Sequence, residues 1–191
     1  MFQKGEYIVY GHQGICLVED ITHLGISGAD KEELYYVLVP LHIKGSHIYY
    51  PIDRENANAR ELMTREEAEE LVREIPELPE LAVIMDKLRE DSYKKALYSG
   101  DSRQWMSMVK TLQLRRKDRQ ANGKRIASVD ERYLKLAEDL IYGELAFVLE
   151  MEREEVQILV RERVDETEDV LEQYRQLARQ CPKVRAIGEI G

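Results

Sequence analysis

Cysteine is scarce in this chain, with two among 191 residues. Cys16 falls in an apolar run and Cys181 lies near the end, so no disulfide framework is expected. Long hydrophobic runs are missing too: no stretch approaches the roughly 18 apolar residues that a membrane span requires. The opening Met1-Phe2-Gln3-Lys4-Gly5-Glu6 lacks the basic-then-apolar order of a signal peptide, which makes the cytoplasm the expected compartment. His12, His23, His42 and His47 have no cysteine or carboxylate at ligand spacing, so no metal site is expected. There is no phosphate-binding glycine loop and no Gly-x-Ser-x-Gly elbow. Catalytic residues, a cofactor and a small-molecule substrate are therefore not expected, and the acidic runs read as solvated helix faces.

Charge is plentiful but unevenly spread. The net value of −9 argues at first against nucleic acid. Residues 1–63 and 64–100 each carry −4, residues 151–191 carry −3, and residues 101–150 carry +2. Within residues 103–125 eight basic side chains face one acid, Asp118. Screening confines a charge's field to about 10 Å at moderate salt, so the local block matters more than the total.

Twelve residues, Tyr7 to Val18, place a Gly11-x-x-Gly14 turn between two apolar runs. Glycine tolerates the positive φ of a tight reversal, and bulky flanks suit a small curved antiparallel sheet. Further strands are expected over Glu33–Val39, His47–Pro51 and Ala59–Leu62, separated by glycine or polar breaks. Six of the eleven tyrosines lie in the first fifty residues, as suits strands with half-wet faces. The pattern predicts a five-stranded SH3/Tudor-like barrel over residues 1–63.

At Thr64 the hydrophobic period changes. Thr64-Arg65-Glu66-Glu67 has capping-box form and predicts a helix to about Arg73, broken by Pro76 and Pro79. Leu81, Met85, Leu88, Ser92 and Ala96 mark one face of the next helix, up to Ser99-Gly100. Trp105, Met108, Val109 and Leu112 stripe another that stops by Asn122-Gly123, which places the sole tryptophan in the core. Ser128-Val129-Asp130-Glu131 repeats the capping-box spacing, followed by a stripe of Val129, Tyr133, Leu136, Leu140, Gly143 and Phe147. Val156, Leu159, Val160 and Val164 predict a further helix, and Asp165–Asp169 an acidic break before a last one with Leu171, Tyr174 and Leu177. The expected class is α+β: a barrel, then an α-helical bundle over 64–164, then an acidic helical extension over 165–191.

Gly5, Val9, Tyr10, His12, Gly14, Val18 and Glu19 fall without a gap on the opening of the CarD/CdnL family of bacterial transcription regulators, which the chain resembles. Gly11 departs from it, since the family usually has proline there. Ser99-Gly100-Asp101, Arg115-Arg116-Lys117-Asp118 and Gly143-Glu144-Leu145-Ala146 resemble later family motifs, extending the resemblance to about residue 149. It implies a Tudor-like domain that binds the RNA polymerase β subunit and a helical domain that contacts promoter DNA. Members that hold open a promoter bubble carry a tryptophan about 15 residues before the serine-glycine-aspartate break, filling the gap between parted bases. Met85 and Asp86 occupy that place here, and Met85 also sits on its helix's apolar stripe.

By the same resemblance, polymerase contacts map to His23, Leu24 and Tyr49, although the family often has arginine in place of Leu24 or Tyr49. Tyr49 remains a reasonable aromatic anchor. The basic block, Arg115, Arg116, Lys117, Arg119, Lys124 and Arg125, is the expected DNA-contacting set, joined by Arg89, Lys94 and Lys95. Some four to six phosphate contacts would bind weakly, with sequence tolerance and strong salt dependence. The expected function is a non-enzymatic transcription regulator that binds polymerase and promoter DNA. The alternative is a protein-interaction module that contacts no nucleic acid, favoured by the overall acidity and opposed by the basic block. RNA binding through the barrel is a weaker third reading, since residues 1–63 are net acidic.

Overall fold

The computed structural model describes residues 1–23, 33–43, 45–52, 59–82 and 88–180, the side chains of 168–180 excepted. Five antiparallel strands, β1 (Tyr7–Tyr10), β2 (Ile15–His23), β3 (Leu34–Pro40), β4 (Ile48–Pro51) and β5 (Ala59–Glu61), pair in the order β4-β3-β2-β1-β5. The β1–β2 reversal is made by a 3₁₀ turn over Gly11–Gln13, with Gly11 at φ 45° and Gly14 at φ 67°. Proline, held near about −65°, does not fit the φ that Gly11 adopts. Ile8, Cys16, Val18, Tyr36, Leu38 and Tyr50 fill the barrel. A register shift between Val18 and Asp20 marks a bulge in β2. Burial in this core pushes the Cys16 thiol up to about 12.

β1 is apolar on both faces for a structural reason. Ile8 points into the barrel, whereas its neighbour Val9 packs into the core of the helices that follow. Those helices are α1 (Arg65–Glu74), α2 (Arg89–Tyr98), α3 (Ser102–Ala121), α4 (Ser128–Leu149) and α5 (Arg153–Gln180). α1 begins with the expected capping box: Thr64 Oγ1 accepts from the Glu67 amide, and Glu67 accepts from the Thr64 amide. α3 begins after Gly100 at φ 72°, with the Asp101 carboxylate accepting from the Arg103 amide at 2.8 Å. The proline-bearing connector after α1 is tied to α3. Lys110 Nζ donates to the carbonyls of Pro76 and Leu78 at 2.8 and 2.7 Å, and the Leu81 amide donates to Thr111 Oγ1. Burial holds Lys110 below its ordinary pKa. Trp105, Met106, Met108, Val109 and Leu112 are fully buried in the centre of the bundle, and Trp105 Nε1 donates to the Leu97 carbonyl at 3.0 Å.

Four expectations change. Ser128 is not an N-cap: α4 starts at Ser128 with Ala127 before it, and no side chain caps it. Asp130 is instead buried and turned toward Arg89 and Tyr93. In α2 the buried residues are Tyr93, Ala96 and Leu97, because the helix begins only at Arg89; Leu88 is exposed and Met85 lies outside the described residues. In α4 the bundle takes Tyr133, Leu134, Ala137, Ile141 and Leu145, while Leu136 and Phe147 of the expected stripe are exposed. Tyr133 and Leu140 of that stripe lie in the bundle core, and the stripe also reaches the barrel: the Phe147 ring lies 4.9 Å from Tyr7, and Leu140 packs beside Gly14. Finally, α5 runs unbroken through Asp165–Asp169. Glutamate is a sound helix former, and Arg163 pairs with Glu166 one turn on.

Candidate functional site

On the barrel, Tyr49 is half exposed on edge strand β4. It pairs with Val37, which pairs in turn with Asp20. Cross-strand partners share a face, so Asp20, Thr22, Tyr35, Val37, Tyr49 and Pro51 lie on one side of the sheet, where Tyr35 and Val37 are buried and Asp20 and Tyr49 are exposed. His23 pairs with Leu34, one residue out of phase, and the pleat assigns it to the opposite face. The structure thus does not bring His23 and Tyr49 together, and Leu24 lies outside the described residues. The neighbours of Tyr49 across β3 carried no signal before the register was known.

The cations of the helical domain meet at one end of the bundle, largely through a polar network. Arg115 Nη1 donates to the Tyr93 hydroxyl at 2.9 Å, and that hydroxyl donates to Asp130 at 3.2 Å. Arg89 Nε lies 3.3 Å from the same carboxylate. Burial, then the nearby Asp130 charge, raises the Tyr93 pKa. Beside it Glu90 receives Arg132 at 2.8 Å, the Tyr133 hydroxyl at 3.2 Å and Lys94 at 3.4 Å. Burial opposes ionisation of Glu90, yet the Tyr133 hydroxyl and the two cations hold its carboxyl below the ordinary value. Lys117 pairs with Asp165 of α5, and Arg119 Nε donates to the Arg125 carbonyl. Arg116, Lys124, Arg125 and Lys95 have no ion-pair partner among the described residues. Arg132 joins this end of the molecule from outside the basic block, with its guanidinium 4.9 Å from the Tyr133 ring centre. Only the approach of α4 to α2 places it there.

Between the two surfaces lies a junction that sequence reasoning missed. Arg60 of β5 reaches α4 and binds the fully buried Glu144 through both terminal nitrogens, at 2.6 and 2.7 Å. Its Nε donates to the Gly100 carbonyl at 2.6 Å, and Nη2 also reaches Ser102 Oγ at 2.6 Å. Ser102 and the Met63 amide donate to Glu144 in turn. The guanidinium sits 5.5 Å from the Trp105 ring centre. The signal was present in the Ser99-Gly100-Asp101 and Gly143-Glu144-Leu145-Ala146 motifs, which turn out to meet here. A cleft of about 770 Å³ opens beside the pair, floored by Leu62, Met63 and Leu71.

Residues 2–63 match the family model of the CarD-like/TRCF RID domain. The barrel is similar to that domain over its whole length. The matched span ends at residue 63 and β5 ends at Glu61, so the family's domain and the observed barrel coincide. A RID domain is an RNA polymerase-interacting domain. No curated protein matches the chain closely enough to stand as a relative. Among the described residues no cluster of His, Cys, Asp and Glu has metal-holding geometry, and no helix is long and apolar enough to cross a membrane.

Proposed function

We propose that the protein regulates bacterial transcription, binding the RNA polymerase β subunit through its RID domain and promoter DNA through cations at the α2–α4 end of the bundle. The observation that carries this reading is the RID match over residues 2–63 on a barrel with an exposed edge strand. Tyr49 is the anchor: it stands half exposed on that edge, where a large aromatic can be buried by a partner strand. DNA contact falls to Arg116, Lys124, Arg125 and Lys95, with the terminal nitrogens of Arg119 beside them. Arg89, Lys94, Arg115 and Lys117 hold the surface together through their internal partners and add to its field. Such contact is weak, follows phosphates and reads no sequence.

The test uses the full chain and core polymerase. Tyr49→Glu should weaken the complex by about 2 kcal/mol, as for a buried interface anchor. Replacing Arg116, Lys124 and Arg125 by glutamine should flatten log affinity for duplex DNA against log salt by about 0.9 for each phosphate left unneutralised. Anisotropy beside polymerase, from low to moderate salt, reads both. The pairing of Lys117 with Asp165 and of Arg89 with Asp130 favours a second reading, a module that binds protein alone. An unchanged salt slope would decide for it.

A further inference from the structure

The contacts across the junction differ in kind. Val9 in the bundle core, Tyr7 against Phe147, and the His12 ring tilted against Tyr98 at 4.6 Å are apolar or aromatic. Contacts of this kind attract without fixing direction and tolerate sliding. The covalent link between β5 and α1 is only Leu62 to Thr64, with no regular structure of its own. A short link limits distance but leaves angle open.

The Arg60–Glu144 pair is different. A planar guanidinium engaged at both terminal nitrogens, with its Nε held by a carbonyl, fixes orientation as well as distance. Its partners come from α4, from the turn before α3 and from the first residue of α3, so one side chain of the barrel is registered against two helices. Stability alone does not account for such a device, since apolar residues of similar volume often replace a buried pair without loss. Direction is what they cannot replace.

We propose that Arg60 and Glu144 are positioning residues that lock the RID domain onto the helical domain, so that a polymerase held at Tyr49 dictates where the cations of α3 lie on DNA. This rests on the two-surface reading above. With the lock in place, DNA contact by the polymerase-bound protein is intramolecular and is enhanced by a high effective concentration. With it loosened, the same cations sample many placements and that enhancement falls.

Two variants test this on the full chain. Arg60→Lys keeps the charge and loses the fork. The double variant Arg60→Met with Glu144→Met removes both charges and leaves no buried ion unpaired, so it is expected to fold. Spin labels at Gln3→Cys and Ser128→Cys, in a Cys181→Ser background, report the distance between the domains; Cys16 is fully buried and stays unlabelled. The distribution should be narrow in the parent and broadened in both variants. Affinity for core polymerase alone should not change, whereas the gain in affinity on adding promoter duplex should drop about tenfold. An unbroadened distribution overturns the lock. A broadened one with the duplex gain intact overturns its positioning role. A parent protein that shows no duplex gain overturns the DNA reading, and the positioning role with it, and is recognised because the parent itself fails.

Discussion

Trp105 and Cys16 are the residues whose chemistry the fold decides most completely. Trp105 is buried in the bundle, with its indole N–H satisfied by Leu97 and the Arg60 guanidinium near its ring. Trp105→Ala should therefore destabilise the protein by about 3–5 kcal/mol, and native fluorescence should be blue-shifted and insensitive to DNA. Red-shifted emission quenched by duplex would refute this. The helical stripe was sufficient to place this residue from sequence, because a single tryptophan among Met108, Val109 and Leu112 has one apolar side to face. Cys16 was legible only as a strand residue. Its thiol pKa rises from 9.0 to about 12 in the fold, through burial. A raised folded value means the native state holds the proton longer than the unfolded chain does. The stabilisation is complete below pH 9 and is lost as pH rises from there toward 12. Cys16→Ala should flatten the alkaline limb of a stability curve, and native Cys16 should resist iodoacetamide at about pH 8 until the protein is unfolded.

At the level of elements, the signals that survived were local and the ones that failed depended on a neighbour. The Thr64 capping box lies within one turn, so sequence spacing is enough to find it. The same spacing at Ser128 misled, because Asp130 finds Arg89 and Tyr93 across the bundle and the helix does not need the cap. α4 shows the same limit more strongly. Its residues serve two partners, a bundle and a barrel, and a single periodic stripe mixes the two: Tyr133 and Leu140 lie in the bundle core, Phe147 meets the barrel, and Leu134, Ala137, Ile141 and Leu145 fall outside the stripe. No propensity rule sees the end of α4 either. Glu150 closes the helix at φ 56°, ψ 43°, a left-handed conformation that glycine adopts without its steric cost. Glu150→Gly should stabilise the protein by about 0.5–1 kcal/mol, read from the midpoint of a urea transition. A lowered midpoint would show that the Glu150 side chain contributes more than its backbone costs.

For the whole molecule, the class and order of the units were readable, since an alternating tyrosine-rich stretch followed by capped amphipathic stretches leaves few architectures open. Their relation was not. Arg60 lies 84 residues from Glu144, and nothing in a one-dimensional pattern links a strand arginine to a helix glutamate at that separation. Yet this pair, Val9 in the bundle core and the packing of Leu140 on Gly14 make the barrel and helices depend on each other. Separated units would expose Val9 and leave the buried Glu144 without its counter-charge. Removing one partner of a buried pair costs about 3–5 kcal/mol, against the roughly 5–15 kcal/mol that typically holds a whole domain. The intact protein should therefore melt in one transition, with calorimetric and van't Hoff enthalpies in agreement. Arg60→Ala should lower that midpoint and separate the melting of barrel tyrosines from that of Trp105 fluorescence, because the barrel alone contains no tryptophan. Two resolved transitions in the parent protein would mean that the barrel and the helices fold as neighbours rather than as one unit.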